Sequence, residues 1–433
     1  MSRRTANVAA VVASAGLLLA ACQSSGDDRA ERPAATTSAT PTTPPTTASP
    51  SPSQKDPLMD LDQDQLDTRL IAAAWENDVK AARRLIAAGA DVNATDDTVQ
   101  SAHLIAASEG RRALLDLTLR HGADLGVHDR FDGTGVIRAA ERGHAWIVGR
   151  LLRAGADPDH VNRLGWVGLH EALVFARPER RRQYVDTVRV LVAGGADVRI
   201  ASRRDGLTPV QLAERHRLEP QARLLRRAQR AEKVSAEVAG RRLLAAARDG
   251  DADAAALALR AGADLEVRNE LRQTPLLLAS THDSVAVARL LVAMGADPDA
   301  LDHQHDTPWL VTGVTGSVAM LEALLPAGPD LTIENRYGGL SPIPAGERGH
   351  VDYIRRVIRT GVDLDHVNDL GWTALLEAVI LGDGSRRYEQ IVTLLVEAGV
   401  DTGIVDKNGV TALEHARAAG YDRIVRVLER AVT

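Results

Sequence analysis

A chain of 433 residues, 45% hydrophobic but only 3% aromatic, cannot build its core on Trp, Tyr and Phe. That excludes a β-sandwich rich in those rings and leaves Ala, Leu and Val to pack helices. The formal charge of −6 argues against nucleic acid as the default partner, and the single cysteine, Cys22, excludes an internal disulfide.

Residues 1–21 read as a secretory signal peptide. Arg3 and Arg4 charge its start, and the run from Val8 to Ala21 is apolar apart from Ser14 and Gly16. The run is too short to span a bilayer comfortably. It ends in Leu19-Ala20-Ala21-Cys22, which resembles the lipobox of bacterial lipoproteins. That resemblance implies a lipid on the Cys22 thiol and cleavage just before it. Two or more acyl chains, at about 0.8 kcal/mol per buried methylene, anchor a protein stably where one does not. Ser2-Arg3-Arg4-Thr5 partly matches a twin-arginine signal, so the export route stays open. The only lysines are Lys55, Lys80, Lys233 and Lys407; that Arg bias, with the Ala richness, fits a GC-rich bacterial genome.

Residues 22–56 form the expected lipidated Cys and tether. Thr36 to Ser53 is almost wholly Thr, Ser, Pro and Ala. Without an apolar period it cannot offset the entropy of ordering, and its prolines favour extended geometry.

From about Asp67 the chain repeats. A Gly-x-Asp tripeptide recurs from Gly89-Ala90-Asp91 to Gly399-Val400-Asp401, with Asp-to-Asp spacings of 33, 33, 40, 67, 33, 33, 33 and 38. The gap of 67 holds a degenerate unit, giving about eleven in all. Within Asp302 to Asp330, Thr307 and Pro308 open a first helix to about Val314, Gly316 turns the chain, and Val318 to Leu325 form a second helix that stops at Gly328. Such short helices bury their apolar faces only by stacking on neighbours. With fragments such as Gly206-Leu207-Thr208-Pro209, Thr274-Pro275-Leu276, Leu169-His170-Glu171-Ala172 and Gly349-His350, the units resemble ankyrin repeats. The expected fold is therefore all-α: an ankyrin-type solenoid of helix-turn-helix units of about 33 residues.

An offset of 206 residues points to internal duplication. Glu141-Arg142-Gly143-His144 recurs as Glu347-Arg348-Gly349-His350, and Asp159-His160-Val161-Asn162 recurs as Asp365-His366-Val367-Asn368. Two stacked arrays follow, residues 57–230 and 241–433, with residues 231–240 as the seam. The helices around Leu70-Ile71-Ala72 and Leu243-Leu244-Ala245 read as the caps that open each array. Near-integral spacing across the seam favours continuous stacking; the second cap favours two lobes in contact, which is the expected arrangement.

Two sets of residues are candidates for partner binding. Leu164 and Trp166, with their copies Leu370 and Trp372, fall in turns between units, where each Trp either meets a partner or packs beneath its own insertion. The packing role is the favoured one. The insertions place Arg177, Arg180, Arg181, Arg182 and Tyr184, and Arg386, Arg387 and Tyr388, on what should be protruding loops suited to an acidic partner. A plain solvated loop is the alternative. His303-Gln304-His305 lacks a third spaced metal ligand. No phosphate-cradling loop or Gly-x-Ser-x-Gly elbow is present, so neither metal nor cofactor nor catalysis is expected. The expected function is a non-catalytic protein-interaction scaffold, lipid-anchored on the outer face of a bacterial cytoplasmic membrane, whose partner is an envelope or secreted protein. The alternatives are a receptor for a small molecule or cell-wall polymer, and a structural or protective envelope protein.

Overall fold

A computed structural model describes residues 57–432. The signal peptide, Cys22 and the tether lie outside the described residues. Among the described residues are twenty-two α-helices in eleven pairs, and no named strand. The first five pairs are α1 (Gln63–Glu76) with α2 (Val79–Ala87), α3 (Ala102–Glu109) with α4 (Arg112–Arg120), α5 (Gly135–Glu141) with α6 (Ala145–Arg153), α7 (Gly168–Val174) with α8 (Arg181–Ala193), and α9 (Pro209–Arg215) with α10 (Glu219–Arg230). The next three are α11 (Ala236–Asp249) with α12 (Ala252–Arg260), α13 (Pro275–Thr281) with α14 (Val285–Met294), and α15 (Pro308–Thr315) with α16 (Val318–Leu324). The last three are α17 (Pro342–Glu347) with α18 (Val351–Val357), α19 (Ala374–Ile380) with α20 (Arg386–Glu397), and α21 (Ala412–Ala418) with α22 (Asp422–Val432). The array openers α1 and α11 are each 14 residues long, whereas the other first helices have six to eight.

Each unit is shaped by a few local bonds. The hydroxyls of Thr208, Thr274, Thr307, Thr373 and Thr411 accept the amide three residues on and cap the first helix. Pro209, Pro275 and Pro308 follow at the first helical position, where no amide is needed. The second helix ends at the marker glycine, whose φ is positive at all nine markers, a conformation costly for any side chain. The marker Asp then folds the chain outward: its carboxylate accepts the amide two residues on at 2.8–3.0 Å in all nine cases. The residue reached by that turn bonds forward to the next unit. Asn93, Asp159, Glu266, Asp299 and Asp365 each accept the amide of the following marker Asp at 2.7–2.9 Å. A polar ladder thus runs beside the apolar stack.

The first helices stack in one row from α1 to α9 and in another from α11 to α21, with Ala, Leu and Val filling the space between them and the second helices. Close approach needs glycine: a Cβ on Gly313 of α15 would lie 1.9 Å from the Ser341 carbonyl oxygen. On the last helix Ile424 and Leu428 are buried while Arg423, Arg426, Glu429 and Arg430 face water.

The two rows do not run end to end. After α10, residues 231–235 carry the chain back, so that α12 packs on α8, and α14 on both α6 and α8. The second array rests on the second-helix face of the first. This is two arrays in contact, not one continuous stack. Of the seam segment 231–240, residues 236–240 form the first turn of α11.

Two features hold the contact. At Gly149 the backbones of α6 and α14 nearly touch, and an added Cβ would lie 2.2 Å from the Ala293 carbonyl oxygen. Beside it Asp186 of α8 takes the Arg289 guanidinium of α14 at 2.8 Å and that of Arg189 at 3.2 Å, while Arg189 reaches Asp253 of α12 at 2.8 Å. Arg260 adds a bond to the Ala196 carbonyl at 2.7 Å. These groups are mostly withdrawn from water, so each needs the others.

Gly149→Val should therefore destabilise the chain by about 1–3 kcal/mol or more through overpacking. Thermal melts of this variant, beside Gly122→Ala as a control at a position whose Cβ would meet nothing within 4 Å, check the assignment: the loss caused by Gly149→Val should exceed the control's strain cost.

Candidate interaction site at the fingertips

Between pairs the chain projects a short finger, and one Asp, Asn or Ser sits at its base. The side chains of Asp96, Asp129, Asn162, Asn269, Asp302, Asn335, Asn368 and Asp406 each accept two amides, two and four residues on, at 2.7–3.1 Å. Such an Asx turn fixes the loop without a strand. The residue after the tip takes a left-handed φ, filled by Gly165, Gly338 and Gly371 but also by Asp132, Arg272 and His305. Single antiparallel bridges, as between His128 and Thr134, close three of the fingers.

This geometry ties down the amide of the residue two past the base while its side chain stands in water. At five fingers that residue is apolar: Phe131 (53% exposed), Leu164 (42%), Leu271 (57%), Tyr337 (52%) and Leu370 (52%). Neighbouring fingers are joined by backbone bonds, Arg163 amide to Phe131 carbonyl at 2.9 Å and Asp369 amide to Tyr337 carbonyl at 2.9 Å. Arg130 lies 5.6 Å over Phe131, and Arg336 lies 4.6 Å over Tyr337. Phe131 and Leu164 stand 206 residues before Tyr337 and Leu370, so each array carries the same two-finger patch.

The expected site residues divide. Leu164 and Leu370 are on this exposed edge. Trp166 and Trp372 are half-buried; Trp372 packs on the core, and Arg204 of the next finger covers Trp166 at 5.8 Å. The insertion residues lie at the opposite end of the helix pair, because they follow the first helix whereas the finger precedes it. They do not form protruding loops. The first insertion is a single 3-10 turn, Pro178–Arg180, that runs into α8, and Arg181, Arg182, Arg386 and Arg387 occupy the opening turns of α8 and α20. Arg177 is exposed and Arg180 half-buried.

Tyr184 and Tyr388 are not surface residues. Both are buried, at 1% and 6% exposure, and their hydroxyls donate to the carbonyls of Glu141 and Glu347 at 3.0 and 2.8 Å. Tyr184 lies against Gly143 as His144 and His350 lie against Gly110 and Gly316, whereas Arg387 lies against Gly349 and the Tyr388 ring against Gly382. Phe131, Leu271 and Tyr337 were missed from sequence; the available signal was an apolar residue two places after an Asp or Asn in the turn.

Beneath the duplicated fingers lie two buried carboxyls. Glu171 receives the Asn162 side-chain amide at 2.6 Å, and Glu377 that of Asn368 at 2.9 Å. Burial, then the nearby Glu141 and Glu347 charges, pushes both up to about 7 against those hydrogen bonds. Burial acts oppositely on His103 and His144, pulling both to about 4. The His303-Gln304-His305 segment is a finger tip; Asp302 spends one carboxylate oxygen on its own turn.

A stack of helix pairs that presents a row of rigid turns is a helical-repeat solenoid of the interaction class. Ankyrin repeats, described as sets of three copies, match residues 70–162, 243–335 and 343–431, well over half of the chain. The chain belongs to the ankyrin-repeat family, and it is a protein-interaction scaffold. It is similar to the ankyrin repeat protein YahD of Escherichia coli strain K12, with 36% identity over 159 residues, 36% of this chain and 78% of that protein. A crystal structure of an ankyrin repeat domain from Acinetobacter baumannii has 43% identity and a TM-score of 0.43, covering 44% of this chain and 97% of that one. Another crystallised ankyrin repeat protein has 36% identity and a TM-score of 0.43, covering 44% of this chain and 98% of that one.

The carboxyls give a pH prediction. Their folded pKa, about 7, exceeds the ordinary 4.5. Their contribution to stability is full below the ordinary value and is lost as pH rises through about 7. The histidines work the other way, losing their contribution as pH falls from 6.5 toward 4. Melting Glu171→Gln/Glu377→Gln beside wild type isolates the carboxyls: the variant should gain relative to wild type as pH rises from about 5 to about 7.5. A constant difference would contradict the assignment.

Proposed function

We propose that this chain is an exported, lipid-anchored scaffold on the outer face of a bacterial cytoplasmic membrane, holding an envelope or secreted protein against its fingertips. The observation that carries the binding part is the row of exposed apolar tips, each held on a rigid turn. Preorganised aromatic and aliphatic side chains lose little freedom on binding, and aromatic residues and Arg are enriched at energetic hot spots. Arg130 and Arg336, stacked on Phe131 and Tyr337, add a charge that suits an acidic rim on the partner. Support for the location comes from residues 1–56: the short apolar run, Cys22 behind Leu19-Ala20-Ala21, and a Thr/Ser/Pro tether that suits a spacer between membrane and scaffold.

Two experiments test the two parts. In cross-linked capture from a bacterial envelope, Phe131→Ser/Leu164→Ser and Tyr337→Ser/Leu370→Ser should each weaken recovery of the specific partner by about tenfold or more. Equal recovery by wild type and a variant lacking both patches would reject the fingertip surface. Separately, Cys22→Ser should move the protein from the membrane fraction to the soluble one and abolish incorporation of labelled fatty acid. Membrane retention without the thiol would reject the anchor.

A further inference from the structure

The reversal of the second array creates a cleft that neither array has alone. It has a volume of about 230 Å³ and lies between the starts of α4, α6 and α8 on one side and α14 and α16 on the other, with Trp146 on its wall. That is smaller than the clefts of about 300 Å³ and above that take drug-sized molecules. It suits a ligand about the size of one ring with a substituent.

The charges around it do not balance. Asp186 is held by Arg289 and Arg189, and Glu322 is held by Arg356. Arg112 and Arg182 also line the cleft, and among the described residues neither has a carboxylate partner. Arg112 instead lies 5.3 Å over the Trp146 ring. His144, also in the lining, is held neutral chiefly by its burial. The first turns of α4, α6 and α8 point the same way. Their cap positions hold Arg111, His144 and Arg180, none of which caps through its side chain, an absence shared with α10, α14, α18 and α20; the amides of these three starts therefore face the cleft without a competing side chain. A cleft with two guanidinium groups that no carboxylate neutralises and an indole wall matches an anion on a flat apolar body.

We propose that the cleft between the two arrays binds a small organic anion, a carboxylate or phosphate monoester on a ring-sized apolar body. Arg112 and Arg182 hold the anionic group, and Trp146 packs against the body. Because the cleft exists only while the arrays are in contact, such a ligand also stabilises that contact, by mass action on the native state.

The full chain is titrated by calorimetry and thermal shift with benzoate, phenyl phosphate, inorganic phosphate and uncharged benzyl alcohol. Benzoate or phenyl phosphate should bind saturably at one site and raise the melting temperature; whichever binds more tightly identifies the anionic group. Inorganic phosphate and benzyl alcohol should each bind at least about tenfold more weakly, since each lacks one half of the recognition. Arg182→Gln, at an exposed position, should weaken binding about tenfold with the ligand-free melt unchanged, and Arg112→Gln should weaken binding by a similar factor. Trp146→Leu should reduce the advantage of phenyl phosphate over inorganic phosphate. The proposal is overturned if neither aromatic anion binds saturably, if both arginine variants bind like wild type, or if benzyl alcohol matches benzoate.

Discussion

Helices of six to fourteen residues are too short to persist alone in water, so every pair depends on the pair beside it. That dependence sets the composition. Ala, Leu and Val fill the gaps between closely stacked helices, and glycine stands where two backbones meet. It also sets the limits of the fold, because a row of pairs ends in an exposed apolar face unless something covers it. At the open ends the cover is a polar surface on the terminal helix. Along the flank of the first array the cover is the second array, which closes over α6 and α8.

Much of this was legible in the sequence. The Gly-x-Asp markers gave the period, the units and the helix ends, because a left-handed glycine and an Asx turn are local necessities that leave a local trace. The two opening caps and the 206-residue offset marked two arrays. The reversal left no such trace. It depends on Gly149 meeting Ala293 and on Asp186 meeting Arg289, pairs separated by more than a hundred residues, and a glycine or an ion-pair residue inside a helix looks the same whatever it touches. The tyrosines of the insertions misled for a related reason. An aromatic residue next to several arginines reads as surface, but Tyr184 and Tyr388 sit within the opening turns of α8 and α20, on the side that faces the preceding unit.

The fingertips show how rigidity and function are linked. An Asp or Asn at the base binds two amides, the first of them that of the tip residue, whose side chain is left facing water. Selection on that position is then free to serve recognition. The duplicated arrays carry Phe131 and Leu164 in one copy and Tyr337 and Leu370 in the other, each supported from below by a buried Asn–Glu pair. The fingers and the arginine-bearing helix starts lie at opposite ends of the helix pairs, so the surface proposed for a protein partner and the cleft formed by the reversal are separate features.

The reversal is the claim on which the cleft and the inter-array contacts rest. Its most direct test uses residues 57–433, which contain no cysteine. With Arg189→Cys on α8 and Asp253→Cys on α12, a short bismaleimide should join the two thiols within one chain in high yield, leaving the Asp186–Arg289 bridge in place. In a continuous stack the same positions would be two pairs apart, about 20 Å at about 10 Å per pair, beyond the reach of the linker. Failure to form the intrachain link in a folded protein whose thiols both react with a monofunctional maleimide would contradict the account.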